Sequence, residues 1–140
     1  MNAARPDAGL VDALVRAGLI ANPAQADFEV LTGGVSSDIW KVTTAARTFC
    51  IKRALSKLRV AADWNAPVER NRYEVAWIRI AHDIVPGAVP EILHHDDVAM
   101  FCAMSHLDPA DHHLWKAELR DGRADCAAAA AVGHRLGRIH

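Results

Sequence analysis

Residues 49–52 read Phe-Cys-Ile-Lys, an apolar run that ends on an ammonium group, with Arg53 directly behind it. A lysine in such company is costly unless something anionic meets it. A matching anion stands further along the chain, where Glu74 sits among Tyr73, Val75 and Ile78. Each charge answers the other's burial cost if the two segments pack together. Glu69 is the weaker partner, because a carboxylate in the first turn of a helix is already favoured by the dipole. In a strand, Cys50 and Lys52 share one face while Phe49 and Ile51 take the other. A small residue two places before a lysine lets something flat lie on the strand while the ammonium reaches beyond it. Taken singly, these residues also suit plainer roles: an edge-strand lysine snorkelling to water, and a solvated helix glutamate.

The histidines invite a second chemistry. His94, His95, Asp96 and Asp97 are contiguous, and His112 and His113 follow later. Adjacent residues on a strand point to opposite faces, so His94 and His95 do not readily share one ion. No His-x-x-x-His pair supports them. They read as surface turn residues, and no metal site is expected.

These side chains need elements to hold them. Leu10, Leu14, Val15 and Leu19 are spaced for an amphipathic helix over residues 8–19. Phe28 to Leu31 reads as a strand, and "TGGVSSD" after it as a glycine- and serine-rich turn. "IWKVTT" and "TFCIKRA" are strands joined by a short connection at Ala45-Ala46, hence a hairpin. From Pro67 to about His82 the period turns helical. Tyr73, Trp77, Ile80 and Ile84 form one row, which predicts Tyr73 and Trp77 in the core, and Val75 and Ile78 widen it. Pro86-Gly87 stops that helix. "EILHHDDVAMFCAM" predicts two strands about a turn at Asp96-Asp97, and residues 124–140 an alanine-rich helix. The fold class is therefore α+β: a five-stranded antiparallel sheet with one packed helix, without βαβ alternation.

Composition narrows the function classes. The 140 residues have room for one ordinary domain, and 51% apolar with 24% charged residues is the balance of a soluble globular chain. A net charge of −1 from scattered basic residues points neither to nucleic acid nor to an anionic membrane. The first twenty residues do not read as a signal peptide, and no apolar run reaches membrane-spanning length. Three cysteines, Cys50, Cys102 and Cys126, lack Cys-x-x-Cys spacing and suit a reducing, cytoplasmic location.

In order and spacing these segments resemble the small N-terminal lobe of the protein-kinase-like fold. More narrowly, they resemble aminoglycoside phosphotransferases and the related methylthioribose kinases. "FCIK" stands where that fold carries Val-Ala-Ile-Lys on its third strand, so the resemblance implies that Lys52 holds ATP phosphates and pairs with Glu74. "GGVSSDIWKV" is similar to the phosphate loop. The resemblance gives Gly33 and Gly34 close backbone approach, Ser36 and Ser37 donors to phosphate oxygens, and Ile39 a place above the adenine. The double glycine by itself is also an ordinary hairpin turn. Cys50 would lie under the base. "VPEILHHDDVAMFCAMSHL" resembles the fourth and fifth strands and the hinge, with Met104 as gatekeeper. Backbone groups of Ser105 and Leu107 would then meet the adenine edge. "KLRVAADWNAPVERNRYEVAWI", with Trp64, Arg70 and Glu74, is similar to the methylthioribose kinase pattern.

The resemblance implies an N-lobe at residues 1–107, followed at 108–140 by a hinge and the first helix of an incomplete second lobe. It further implies ATP as cofactor, Mg²⁺ in a complete enzyme, and a small-molecule hydroxyl of the aminoglycoside or thiosugar class as acceptor. The family's His-Gly-Asp loop, with an asparagine five residues after the aspartate, has no counterpart in the 140 residues. Five residues after Asp96 comes Phe101. The expectation is a fragment inactive on its own. The alternative is a non-catalytic remnant that binds nucleotide, or a partner through exposed apolar surface, including another copy of itself.

Overall fold

A computed structural model describes residues 5–31 and 34–140. Helix α1 spans Ala8–Arg16, and strands β1, β2 and β3 span Asp27–Val30, Ser37–Thr43 and Thr48–Ala54. Helix α2 runs over Arg70–Ile84, β4 over Ile92–Asp96 and β5 over Phe101–Ser105. Helices α3, Trp115–Arg120, and α4, Cys126–Ile139, complete the chain. The strands form one antiparallel sheet in the order β1-β2-β3-β5-β4, so β3 lies at its centre. The α+β class and five-stranded antiparallel sheet anticipated from the pattern of elements are those observed, but two helices, α1 and α2, pack on the sheet where one was expected.

Alternation gives the sheet two different faces. Trp40 and Val42 of β2, Phe49 and Ile51 of β3, and Phe101 and Ala103 of β5 point to one side. There they meet Leu10, Val11, Ala13 and Leu14 of α1, and the cluster is buried throughout. Helix α1 begins where Asp7 accepts a hydrogen bond from the Leu10 N–H at 3.1 Å, and ends at Gly18, whose φ of +69° suits a residue without Cβ. It is therefore shorter than the 8–19 span the apolar spacing predicts. Leu19 is still buried, but as part of the chain leaving the helix. The Asp7 carboxylate also pairs with Arg53 at 2.6 Å, and that bond, with the Leu10 N–H, holds it below the usual carboxylate range.

The second face carries α2, and here the predicted core row is corrected. Tyr73 is 78% exposed and Trp77, Ile80 and Ile84 are also exposed. The residues turned to the sheet are Asn71, Val75, Ile78 and Ala81. The helix has two stripes of helical spacing on opposite sides, and the less apolar one is buried. Asn71 explains the choice: its amide Nδ2 reaches Cys102 Sγ at 3.9 Å, and its Oδ1 accepts from His95 Nε2 at 2.9 Å. A buried amide so partnered carries no unsatisfied group into the interior. The helix also starts at Arg70 and not at Pro67, because residues 67–69 form a turn. Glu69 is thus at the N-cap position and makes no side-chain capping bond.

Three further differences are local. Strand β2 begins at Ser37, two residues before the predicted run, paired with Ala54. The β4–β5 turn occupies residues 97–100, with Asp96 accepting from the Val98 and Ala99 N–H groups at 2.8 Å. Helix α3 was not anticipated. It is six residues long and none of them is buried; its apolar pair, Trp115 and Leu119, is too short a run to mark a helix by periodicity.

Candidate functional site

The register of the central strands builds the floor of a cleft on the α2 face. Ile39, Lys52 and Cys102 lie in one row across β2, β3 and β5, and Lys41, Cys50 and Met104 lie in the next. The small thiol of Cys50 at the middle of the second row leaves open space above the sheet where aromatic rings fill the opposite face, while Cys102 is buried beneath Asn71 of α2. The space is about 490 Å³, mostly apolar in lining, which is within the size range of small-molecule sites.

Lys52 and Glu74 close one end. The Lys52 ammonium donates to Glu74 Oε1 in an ion pair that joins β3 to α2 across 22 residues of chain. Glu74 is presented by the same helix turns that bury Asn71, Val75 and Ile78, so packing of that stripe aims the carboxylate at β3. The side chains keep 23% and 38% of their exposure, so solvent screens the pair and its net contribution to stability is about 1 kcal/mol or less. An ammonium has three donors and the carboxylate takes one, which leaves a fixed cation facing the cleft.

Ile39, Cys50, Met104, Ser105 and Leu107 line the same cleft as the pair. The Ser105 N–H is engaged by the Glu91 carbonyl at 2.9 Å, and its hydroxyl accepts from the Glu91 N–H at 3.0 Å. Leu107 is half-exposed, and its backbone groups have no hydrogen-bond partner among the described residues.

The loop ahead of β2 stands apart from the lining. Gly33 lies outside the described residues. A side chain at Gly34 would come within 3.3 Å of the Ser37 carbonyl oxygen and 3.6 Å of Ile39 Cδ1, so the backbone there is closely folded on itself. Ser37 is buried as the first residue of β2, and the Ser36 carbonyl accepts from the Leu55 N–H at 3.0 Å. The Val35 carbonyl accepts from the Arg59 N–H at 2.8 Å. The loop is thus hydrogen-bonded to the segment that follows β3.

Leu31, Trp77, Ile78, Val89, Pro90, His106 and Pro109 also line the cleft and were not anticipated there. Trp77 had a signal, since it lies three residues after Glu74 and shares its side of the helix. Val89 and Pro90 belong to a connection whose path no periodicity records.

Burial raises the thiol pKa of Cys50, and it pushes Cys102 up to about 11, with the Glu74 charge adding to the effect. Cys50 lines the cleft and Cys102 lies beneath Asn71, and in both burial disfavours the thiolate form. His94 stacks obliquely on Phe101 at 5.8 Å on the α1 face, while His95 meets Asn71 on the α2 face. The two rings therefore diverge, as strand alternation predicts. Among the described residues no group of three or more His, Cys, Asp or Glu side chains converges as a metal site. A second cavity, about 420 Å³, lies between α3 and α4, but its Glu118 and Arg123 bond each other at 2.5 Å and its Asp125 carboxylate caps α4. No helix of the described chain is long and apolar enough to cross a membrane.

No protein-family profile matches the chain. Over 87 residues it is 32% identical to the methylthioribose kinase of Yersinia pseudotuberculosis (strain YPIII), a match covering 61% of this chain and 21% of that protein. The methylthioribose kinase of Yersinia pestis (strain Pestoides F) gives the same identity and coverage, 32% over 87 residues. The chain thus spans about a fifth of the length of the curated relatives it matches. Its weak homology to methylthioribose kinases and its five-stranded antiparallel sheet with packed helices are compatible with the small lobe of a kinase-like fold.

Proposed function

We propose that residues 1–107 are the nucleotide-binding lobe of an ATP-dependent phosphotransferase acting on a small-molecule hydroxyl, and that residues 108–140 are its hinge and the start of a second lobe. The observation that carries this reading is the Lys52–Glu74 ion pair closing an apolar cleft whose other end is backbone at Leu107 with no hydrogen-bond partner among the described residues. In kinases a lysine of the third strand, held by a helix glutamate, contacts the phosphates. Here Ile39 and Leu107 would enclose the base, with Cys50 beneath it and Met104 at the back. The Ser105 carbonyl and the Leu107 N–H would meet its polar edge, and Lys52 the phosphates. The loop at Gly33, Gly34, Ser36 and Ser37 would cover them. The named relatives favour a thiosugar over an aminoglycoside as acceptor.

Among the described residues no three His, Cys, Asp or Glu side chains converge to hold an ion. Phosphoryl transfer rests on positioning and charge neutralisation, and the 140-residue chain is expected to bind nucleotide without transferring phosphate. Calorimetric titration with ATP tests the reading. Wild type should bind, and Lys52→Ala should lose at least about tenfold in affinity, the usual order for removing one charged hydrogen bond. Equal affinity of the two proteins, or no binding by wild type, would refute it.

A further inference from the structure

We infer that Arg70 is a positioning residue that fixes the glycine–serine loop to the helix carrying Glu74. Arg70 is the first residue of α2, where a cation opposes the helix dipole, and the first turn offers no acidic side chain to offset it. Among the described residues it forms no ion pair. Its guanidinium is instead surrounded by carbonyl oxygens. Nη1 donates to Pro67 at 2.7 Å and to Ala66 at 3.2 Å, and Nη2 donates to Leu55 at 2.8 Å and to Ser36. Three separate segments converge on this one planar fork: the loop before β2, the exit from β3 and the entry to α2.

The consequence lies in what shares the helix. Glu74 is one turn further along the same face, and it holds Lys52. The loop and the ammonium are therefore both referenced to α2, although neither belongs to it. Leu55 and Arg59 N–H groups dock the loop at Ser36 and Val35. Arg70 adds the link that sets this docked pair against the helix. The arginine fork suits this task and a lysine does not, because one ammonium cannot reach carbonyls spread over three segments.

The inference deepens the nucleotide-site reading, but its first test is independent of it. In the full chain without nucleotide, hydrogen exchange at the Leu55 and Arg59 amides reports docking of the loop. Arg70→Ala should speed exchange at both by about tenfold or more while β5 amides stay protected, since the loss is local. Arg70→Lys, which keeps the charge and the stem, should remain loosened. Unchanged protection in Arg70→Ala, or full restoration by Arg70→Lys, would overturn the inference. If Arg70→Ala does not fold, Arg70→Lys alone decides. The second test compares ATP with adenosine by titration. Arg70→Ala should weaken ATP by about tenfold and leave adenosine unchanged, the effect of losing a preorganised loop. Equal weakening of both ligands would mark Arg70 as a general support of the fold and overturn its positioning role. Failure of wild type to bind either ligand would refute the nucleotide reading, and the exchange result would still decide whether the clamp exists.

Discussion

The rotation of α2 about its axis decides where Glu74 points, and it can be tested by alanine substitution on both stripes. Val75 is 1% exposed and Ile78 is 8% exposed, whereas Ile80 is 56% exposed. Val75→Ala removes two buried carbons at about 0.8 kcal/mol each, with a cavity contribution added and about 0.5 kcal/mol of helix propensity regained. The expected cost is about 2 kcal/mol. Ile78→Ala removes three carbons and should cost about 3 kcal/mol on the same reasoning. For Ile80→Ala and Tyr73→Ala the small loss of contact is balanced by better helix propensity, leaving each within about 0.5 kcal/mol of wild type. With a urea dependence of about 2 kcal/mol per molar for a chain of this size, the midpoint should fall by about 1 M for Val75→Ala. For Ile78→Ala it should fall by about 1.5 M, and for the exposed pair by no more than about 0.25 M. If Tyr73→Ala or Ile80→Ala proves as damaging as Val75→Ala, the helix is turned the other way and Glu74 does not face β3.

Two further outcomes follow from the α2–sheet contact. Burial depresses the His95 pKa against the opposing Asp97 charge, with Arg79, Arg72 and His94 reinforcing the shift. Its neutral form is thus the folded one. Stability is fully present above the unfolded-chain value of about 6.5 and declines as pH falls from there through the lower folded-state value. Urea midpoints between pH 7.5 and about 5 should show this fall in wild type and a shallower one in His95→Gln, whose amide still donates to Asn71. Identical slopes would exclude His95 as a source. Thiol titration supplies the other check. At pH 8 Cys126, which is exposed, should react promptly with a thiol reagent, while Cys102, fully buried beneath Asn71 of α2, reacts only after denaturant is added. Fast reaction of Cys102 would mean that α2 does not cover the sheet.

How much of this was legible in the sequence depends on which force set each feature. The β2–β3 hairpin was readable because Trp40 and Val42, then Phe49 and Ile51, alternate with other residues over a core that needs them. Lys52 and Glu74 were readable for the opposite reason, since a charge in an apolar setting is costly and advertises its need for a partner. The buried stripe of α2 was not readable. Hydropathy assigns Tyr73, Trp77, Ile80 and Ile84 to the interior, and the outcome turned on Asn71, whose burial depends on His95 and Cys102 from two other strands. The Arg70 contacts were hidden for a related reason. Their acceptors are main-chain carbonyls, which every residue has and no side-chain pattern reveals.

The two faces of the sheet also explain how a cleft can be open without loosening the fold. A shift of β3 by one residue would exchange its faces, moving Lys52 toward α1 and Phe49 toward the cleft. The ring of Phe49, fully buried among Trp40, Val42, Ile51 and α1, makes that shift prohibitive, because the α1 face would lose its aromatic filling. Register is therefore fixed from behind. With register secured there, the front face is free to carry thin residues such as Cys50 and Cys102 and a charged one at Lys52 without having to specify the pairing itself. The side of the sheet that specifies the fold and the side available for binding are separate, and strand alternation is what separates them.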